Sequence, residues 1–233
     1  MLGFFKNFLL NPKIRYKLIF SGVFGAHPDE EILKMTMEYA AHNKLNGDYL
    51  EFGVWKGRSF SRAYNIWKHL FFNHGELKSM RFYAFDSFEG LPELKNEDAG
   101  GEFNKGQYLC TEEDFKKNIA QAGVDLNRVG IIKGWFDKIL NDETKKKLPL
   151  KHAAVIFIDY DLYESTVSVL DFITDYLVNG SVVVFDDWFC FKGSPEKGEQ
   201  KAFKEWLLKN PDIKATKYHK FNWRGNSFII HKN

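Results

Sequence analysis

Two uninterrupted apolar runs, 155–158 and 182–185, are each too short for a helix, are rich in β-branched residues and stop at carboxylates. They read as strands buried on both faces. Between them Leu162, Thr166, Leu170, Ile173 and Leu177 recur at helical spacing, and Asn179-Gly180 supplies a helix stop. The unit is therefore strand, helix, strand. Its crossover makes the strands parallel, so Asp159 and Asp161 from the first and Asp186 and Asp187 from the second arrive at one edge of one sheet.

The same patterning continues along the chain. His27-Pro28-Asp29-Glu30-Glu31 opens a helix that carries Ile32, Met35, Thr36 and Tyr39 and ends near Asn46-Gly47. Residues 49–54 read as a strand running into a glycine turn, 58–72 as a helix, and 82–85 as a second strand ending at Asp86. A loop over 90–106 has the length of a functional lid. Beyond it come a helix at 112–122, a strand at 129–133, a short polar helix at 142–147, a mobile loop at 193–198 and a helix at 199–209. Two final strands, 214–220 and 227–231, form a hairpin. The fold expected is α/β: a doubly wound, Rossmann-like, mostly parallel sheet with an antiparallel C-terminal hairpin. Residues 1–46 form an N-terminal helical extension and 47–233 the main domain.

Composition narrows the partners. Lys+Arg 33 against Asp+Glu 31 leaves a net charge of +2, which offers no global field for nucleic acid. Cys110 and Cys190 lie far apart without metal-ligand spacing, as expected of free thiols in a reducing cytoplasm. No apolar run approaches the roughly 18 residues of a transmembrane helix. The first 26 residues mix Phe and Leu with Lys6, Lys13, Arg15 and Lys17, and are expected to pack over the domain or to touch an anionic membrane or a second subunit.

The chemistry gathers at strand ends, where ligands sit in open α/β sheets. Four converging acids repel one another unless a cation or protons offset the charge, and a divalent metal is the expectation. Glu51-x-Gly53-x-x-x-Gly57 lies on strand, turn and helix but lacks the G-x-G-x-x-G spacing that seats a pyrophosphate. A carboxylate there disfavours phosphate and can help hold an ammonium group. Asp86, ending the second strand, stands where such sites accept hydrogen bonds from ribose hydroxyls. Its structural alternative is a turn aspartate for Ser87-Phe88-Glu89. An acidic first turn and an acidic second strand favour a nucleoside carrying an amino acid, such as S-adenosylmethionine.

Five blocks in order, Glu51-Phe52-Gly53-Val54-Trp55-Lys56-Gly57, Asp86-Ser87-Phe88-Glu89-Gly90-Leu91-Pro92, Lys133-Gly134-Trp135-Phe136, Asp159-Tyr160-Asp161-Leu162-Tyr163-Glu164-Ser165-Thr166 and Asp186-Asp187, resemble the macrocin O-methyltransferase (TylF) family of class I S-adenosylmethionine-dependent enzymes. The resemblance implies methylation of a sugar hydroxyl with a divalent cation. It implies a cofactor site of Glu51, Gly53, Val54, Trp55, Gly57, Ser59, Asp86, Ser87, Gly134, Trp135 and Asp159, with 134–136 bordering the adenine. It implies Mg²⁺ ligation by Asp161, Asp186 and Asp187, with Asp161 also the candidate base.

The acceptor so implied is a glycan, glycoside or nucleotide-activated sugar with adjacent hydroxyls. A catechol-like phenol presents the same oxygens, and an inactive binding subunit would keep the fold without turnover. His152, His219 and His231 sit in or beside strands and read as structural. Tyr163 and Trp188 flank the acids, either to stack on a sugar or to fill the core.

Overall fold

The computed structural model describes residues 28–71, 74–91, 106–160 and 162–232. Residues 1–27, most of the expected lid and Asp161 thus lie outside the described residues. Among the described residues seven strands, β1 (Asp48–Phe52), β2 (Phe82–Asp86), β3 (Val129–Lys133), β4 (Ala153–Ile158), β5 (Leu177–Phe185), β6 (Ile213–Phe221) and β7 (Gly225–Lys232), form one sheet in the order β3-β2-β1-β4-β5-β7-β6. The first five pair in parallel, and β7 runs antiparallel to both β5 and β6. The expected doubly wound sheet with its C-terminal hairpin is present. Strand order reverses between β1 and β4, which opens a crevice at their carboxyl ends.

Helices cover both faces: α1 (Pro28–His42), α2 (Arg58–Leu70), α3 (Glu112–Gln121), α4 (Phe136–Ile139), α5 (Asp142–Lys147), α6 (Tyr163–Ile173) and α7 (Gly198–Lys209). Strand alternation sorts the core into two layers. Tyr49, Phe82, Ala84, Val155, Phe157 and Val184 face an apolar cluster with Ile32 and Met37 of α1, Phe60 and Trp67 of α2, and Phe115 of α3. Leu50, Phe52, Phe85, Ile156, Ile158 and Phe185 face the other, with Val169, Leu170 and Phe172 of α6 and Phe203 and Trp206 of α7. Each Val, Leu, Ile, Phe or Met side chain so removed from water contributes about 1.5–3 kcal/mol.

Three local expectations are corrected. The helix expected to reach Asn46-Gly47 stops at His42, because Lys44 takes a left-handed φ of 54° and Leu45 N–H donates to Ala40 O at 2.9 Å, closing the end four residues early. Leu177 and Asn179-Gly180 do not end the crossover helix. That helix stops at Ile173, and Leu177 already pairs with Ala153 in the sheet. Asn179 and Gly180 instead lie within β5 where the register against β4 shifts, with Gly180 at φ 97°. Ser181 Oγ pins this irregularity by donating to Ala153 O at 2.6 Å and accepting from Val178 N–H. The first strand ends at Phe52 rather than 54, because Gly53 turns at φ 85°.

Candidate active site

Backbone hydrogen bonds continue past the strand ends and hold the next residues in a row. Gly53 N–H donates to Phe85 O, Gly134 N–H to Asp86 O, Asp159 N–H to Phe52 O and Asp186 N–H to Ile158 O, at 2.9–3.0 Å. Gly53 has to be glycine, since a Cβ there would stand 2.0 Å from the Asp159 carbonyl oxygen. Beyond it the chain turns through Val54 and Trp55 to Gly57, at φ 79°, which caps α2.

Asp86 holds this turn. Its Oδ2 accepts from the N–H groups of Val54 (2.8 Å) and Trp55 (3.1 Å), and its Oδ1 from Phe88 N–H (2.7 Å). Three of about four acceptor positions of the carboxylate are occupied, leaving room for one more donor. Glu51 is fully buried beneath the turn. Tyr49 Oη donates to its Oε2 at 2.5 Å and Ser59 Oγ to its Oε1 at 2.6 Å. Burial pushes the Glu51 carboxyl up to about 8, although both hydroxyls pull the other way.

A cleft of about 640 Å³, its open mouth included, runs along this edge. Gly53, Trp55, Arg58, Asp86, Gly90, Leu91, Tyr108, Asp159, Tyr160 and Arg224 line it. Beside it, at the ends of β4 and β5, the carboxylates of Asp159, Asp186 and Asp187 converge, each offering one oxygen within 4.8 Å of the others, and Asp159 also lines the cleft. Asp186 and Asp187 are 1% and 2% exposed. Burial, and then the neighbouring acids, raise Asp159 well above the carboxylate range, and burial followed by the Asp187 charge raises Asp186 to about 7. Asp186 Oδ1 and Asp187 Oδ2 are buried with no hydrogen-bond partner among the described residues. An all-oxygen donor set with buried, unsatisfied acceptors fits a hard divalent cation.

The macrocin-O-methyltransferase (TylF) family model matches residues 29–216. The chain belongs to this family. The 8-demethyl-8-(2,3-dimethoxy-alpha-L-rhamnosyl)-tetracenomycin-C 4'-O-methyltransferase of Streptomyces olivaceus is 30% identical over 164 residues, covering 67% of this chain and 58% of the relative. Mycinamicin III 3''-O-methyltransferase of Micromonospora griseorubida is 28% identical over 167 residues, covering 67% of this chain and 61% of its own. The chain thus spans about three fifths of the length of these curated relatives. The solved O-methyltransferase NovP shares the fold, with a TM-score of 0.70 at 22% identity, over 87% of this chain and 79% of that one.

Within this TylF-family chain the expected residues divide. Gly53, Trp55, Asp86 and Asp159 line the cleft; Val54 and Gly57 close the adjoining turn through the Gly57 N–H to Val54 O bond but lie outside the lining, as do Glu51 and Ser59, which bond to each other. Ser87 is buried in its own turn, bonded to Gly90 O and Glu89 N–H, and Gly134 and Trp135 stand at the end of β3 outside the lining. Asp159, expected at the cofactor, joins the acid cluster with Asp186 and Asp187. Trp188 packs among Phe185, Phe203 and Phe228 as core. Tyr163 Oη instead donates to Glu205 on the surface. His152, His219 and His231 lie outside the cleft lining.

Sequence reading missed two neighbours of the acids. Arg224, in the β6–β7 turn, donates from one guanidinium nitrogen to Asp186 Oδ2 and from the other to Asp187 Oδ1 at 2.5 Å. Glu199, at the start of α7, is 2% exposed and accepts the Asp187 N–H at 3.1 Å; burial raises its carboxyl well above the usual range. The hairpin carried a signal for the first. Pairing β7 against β5 puts Asn226 opposite Phe185, which brings the turn beside Asp186.

Proposed function

We propose that the chain is an S-adenosylmethionine-dependent O-methyltransferase acting on a sugar hydroxyl of a glycan, glycoside or nucleotide-activated sugar, with Mg²⁺ held by Asp159, Asp186 and Asp187. The observation that carries this reading is that the glycine-rich first turn shares its cleft with Asp159, which in turn belongs to a three-carboxylate cluster whose buried oxygens include two without a hydrogen-bond partner among the described residues. Family membership supports O-methyl transfer, and the rhamnosyl group in the name of the Streptomyces olivaceus relative supports a sugar acceptor.

Methyl transfer is an in-line displacement at a sulfonium carbon, so the protein must align an oxygen nucleophile and have its proton removed. The turn at Gly53, Val54 and Trp55 would seat the donor. The acceptor position left on Asp86 would take a ribose hydroxyl, and the donor's ammonium group would draw Glu51, beneath the turn, toward its ionised form. A divalent cation, when bound, makes a coordinated hydroxyl more acidic and lets a neighbouring hydroxyl fix which oxygen is presented. Tyr160, packed on Phe136 with ring centroids 4.3 Å apart, would wall off water between the two halves. Asp161 is assigned from sequence as the proton acceptor.

Incubation with methyl-labelled S-adenosylmethionine, Mg²⁺ and a panel of glycosides, nucleotide sugars and catechols tests the reading. Label transferred to a sugar hydroxyl supports it. Transfer to catechols alone would replace the acceptor class, and no transfer to any acceptor, with no binding of S-adenosylhomocysteine, would overturn the activity.

A further inference from the structure

Among the described residues, one guanidinium grips both members of the acid pair. Arg224 takes Asp186 Oδ2 and Asp187 Oδ1, Cys190 Sγ also donates to Asp187 Oδ1 at 3.3 Å, and the remaining oxygens, Asp186 Oδ1 and Asp187 Oδ2, are buried with no hydrogen-bond partner among the described residues. Two carboxylates on successive residues repel and would otherwise rotate apart. A guanidinium is a rigid fork, able to fix the planes of two acceptors at once where a lysine ammonium presents one mobile point charge.

The turn that carries the fork is itself held. Asn222, at φ 43°, accepts the N–H groups of Arg224 (2.6 Å) and Gly225 (2.9 Å) on its Oδ1. Arg224 O accepts from Phe189 N–H at 2.8 Å, and Cys190 N–H donates to Asp187 O at 2.9 Å. The first of these bonds ties the β6–β7 turn to the segment after β5, and the second folds that segment back on Asp187. Asp187 is further fixed from α7, where Glu199 accepts its N–H.

We propose that Arg224 is a positioning residue for cation binding: its fork holds one oxygen of Asp186 and one of Asp187 so that the remaining oxygen of each, together with Asp159, grips a divalent ion. This rests on the metal reading above. In this arrangement the guanidinium and the ion take different oxygens of the acid pair and do not compete for them.

The test is Mn²⁺ affinity of the metal-stripped protein, read by electron paramagnetic resonance for wild type, Arg224→Ala and Arg224→Lys, with melting temperature and S-adenosylhomocysteine affinity measured alongside. Removing a group that orients metal ligands costs about 10–100-fold in affinity. A loss of that size is expected in both variants, Lys included because it keeps the charge and loses the fork, with the fold and S-adenosylhomocysteine binding retained. Millimolar guanidinium should restore part of the affinity of Arg224→Ala. Unchanged affinity in Arg224→Ala would overturn the proposal, and tighter affinity would overturn it and identify Arg224 as a competitor of the ion. Failure of the wild type to bind Mn²⁺ would instead overturn the metal reading and this inference with it. Should Arg224→Ala not fold, Arg224→Lys alone decides, since wild-type affinity in it refutes the fork.

Discussion

The Asp187 backbone N–H donates to Glu199 Oε2 at 3.1 Å, so a buried carboxyl group from α7 stands directly behind the acid pair at the end of β5. Burial and the three neighbouring aspartates raise Glu199 well above its ordinary value, which favours its neutral form. A glutamine reproduces that neutral group and an alanine does not. Glu199→Gln should fold with near wild-type stability. Glu199→Ala should lose about 1–3 kcal/mol in urea unfolding, as expected for a buried N–H left without an acceptor. Equal stability of the two variants would refute the role of this hydrogen bond.

Glu51 sets a pH dependence of stability. Its carboxyl sits at about 8 in the fold against an ordinary 4.5, so between those values the folded chain holds a proton that the unfolded chain has released. Stability from this group is complete below the lower value, falls as pH rises through the window, and is flat above it. Glu51→Gln should therefore be relatively more stable than wild type at pH 8 than at pH 5. Melting curves of both proteins across that range check this; a difference that does not change with pH would mean that Glu51 is ionised throughout.

Cation binding should weaken as pH falls. Asp186, raised to about 7 by burial and by the Asp187 charge, has to lose its proton before its oxygens can serve as ligands. Calorimetric titration with Mg²⁺ or Mn²⁺ should show declining affinity and rising proton release as pH drops from 8 to 6. Chelation should abolish methyl transfer while leaving the circular dichroism spectrum intact. Full turnover in excess EDTA would remove the metal from the mechanism.

Asp86→Ala strips the acceptor from three N–H groups, of Val54, Trp55 and Phe88. S-adenosylhomocysteine binding should weaken by about 1–3 kcal/mol through the loosened turn and the lost acceptor, while Mn²⁺ affinity should hold. Calorimetry with each ligand separates the two effects, and an equal loss in both would argue for general unfolding of the edge.

Much of this edge was legible from the chain alone because buried parallel strands are written as continuous β-branched runs that stop at their functional residues. Val155, Ile156 and Ile158 lead to Asp159, and Val182 to Val184 lead to Asp186, within a residue or two of the observed ends. What could not be read depended on register. Asn179-Gly180 has the composition of a helix stop, and only the pairing of Leu177 with Ala153 and the Ser181 hydrogen bond turn it into an irregularity within a strand. Arg224 and Glu199 lie 37 and 12 residues from Asp187, on elements whose own patterns speak only of a turn and an amphipathic helix. The sequence placed Asp86 at the right strand end, but its main partners proved to be the backbone of the neighbouring turn, which no residue spacing encodes.

The contact forced on Gly53 acts as a gauge between the two halves of the cleft. A Cβ would come within 2.0 Å of the Asp159 carbonyl oxygen, so the turn proposed for the methyl donor is set against the main chain of a residue proposed to hold the cation. Main-chain atoms have no rotamers to exchange, and the spacing between donor and acceptor would therefore be fixed when the sheet closes, before either molecule arrives. A misplacement of about 1 Å in such a reaction can cost on the order of a hundredfold in rate. The tolerance of the chemistry would then be machined into the backbone itself, leaving the side chains around it free to vary with the molecule to be methylated.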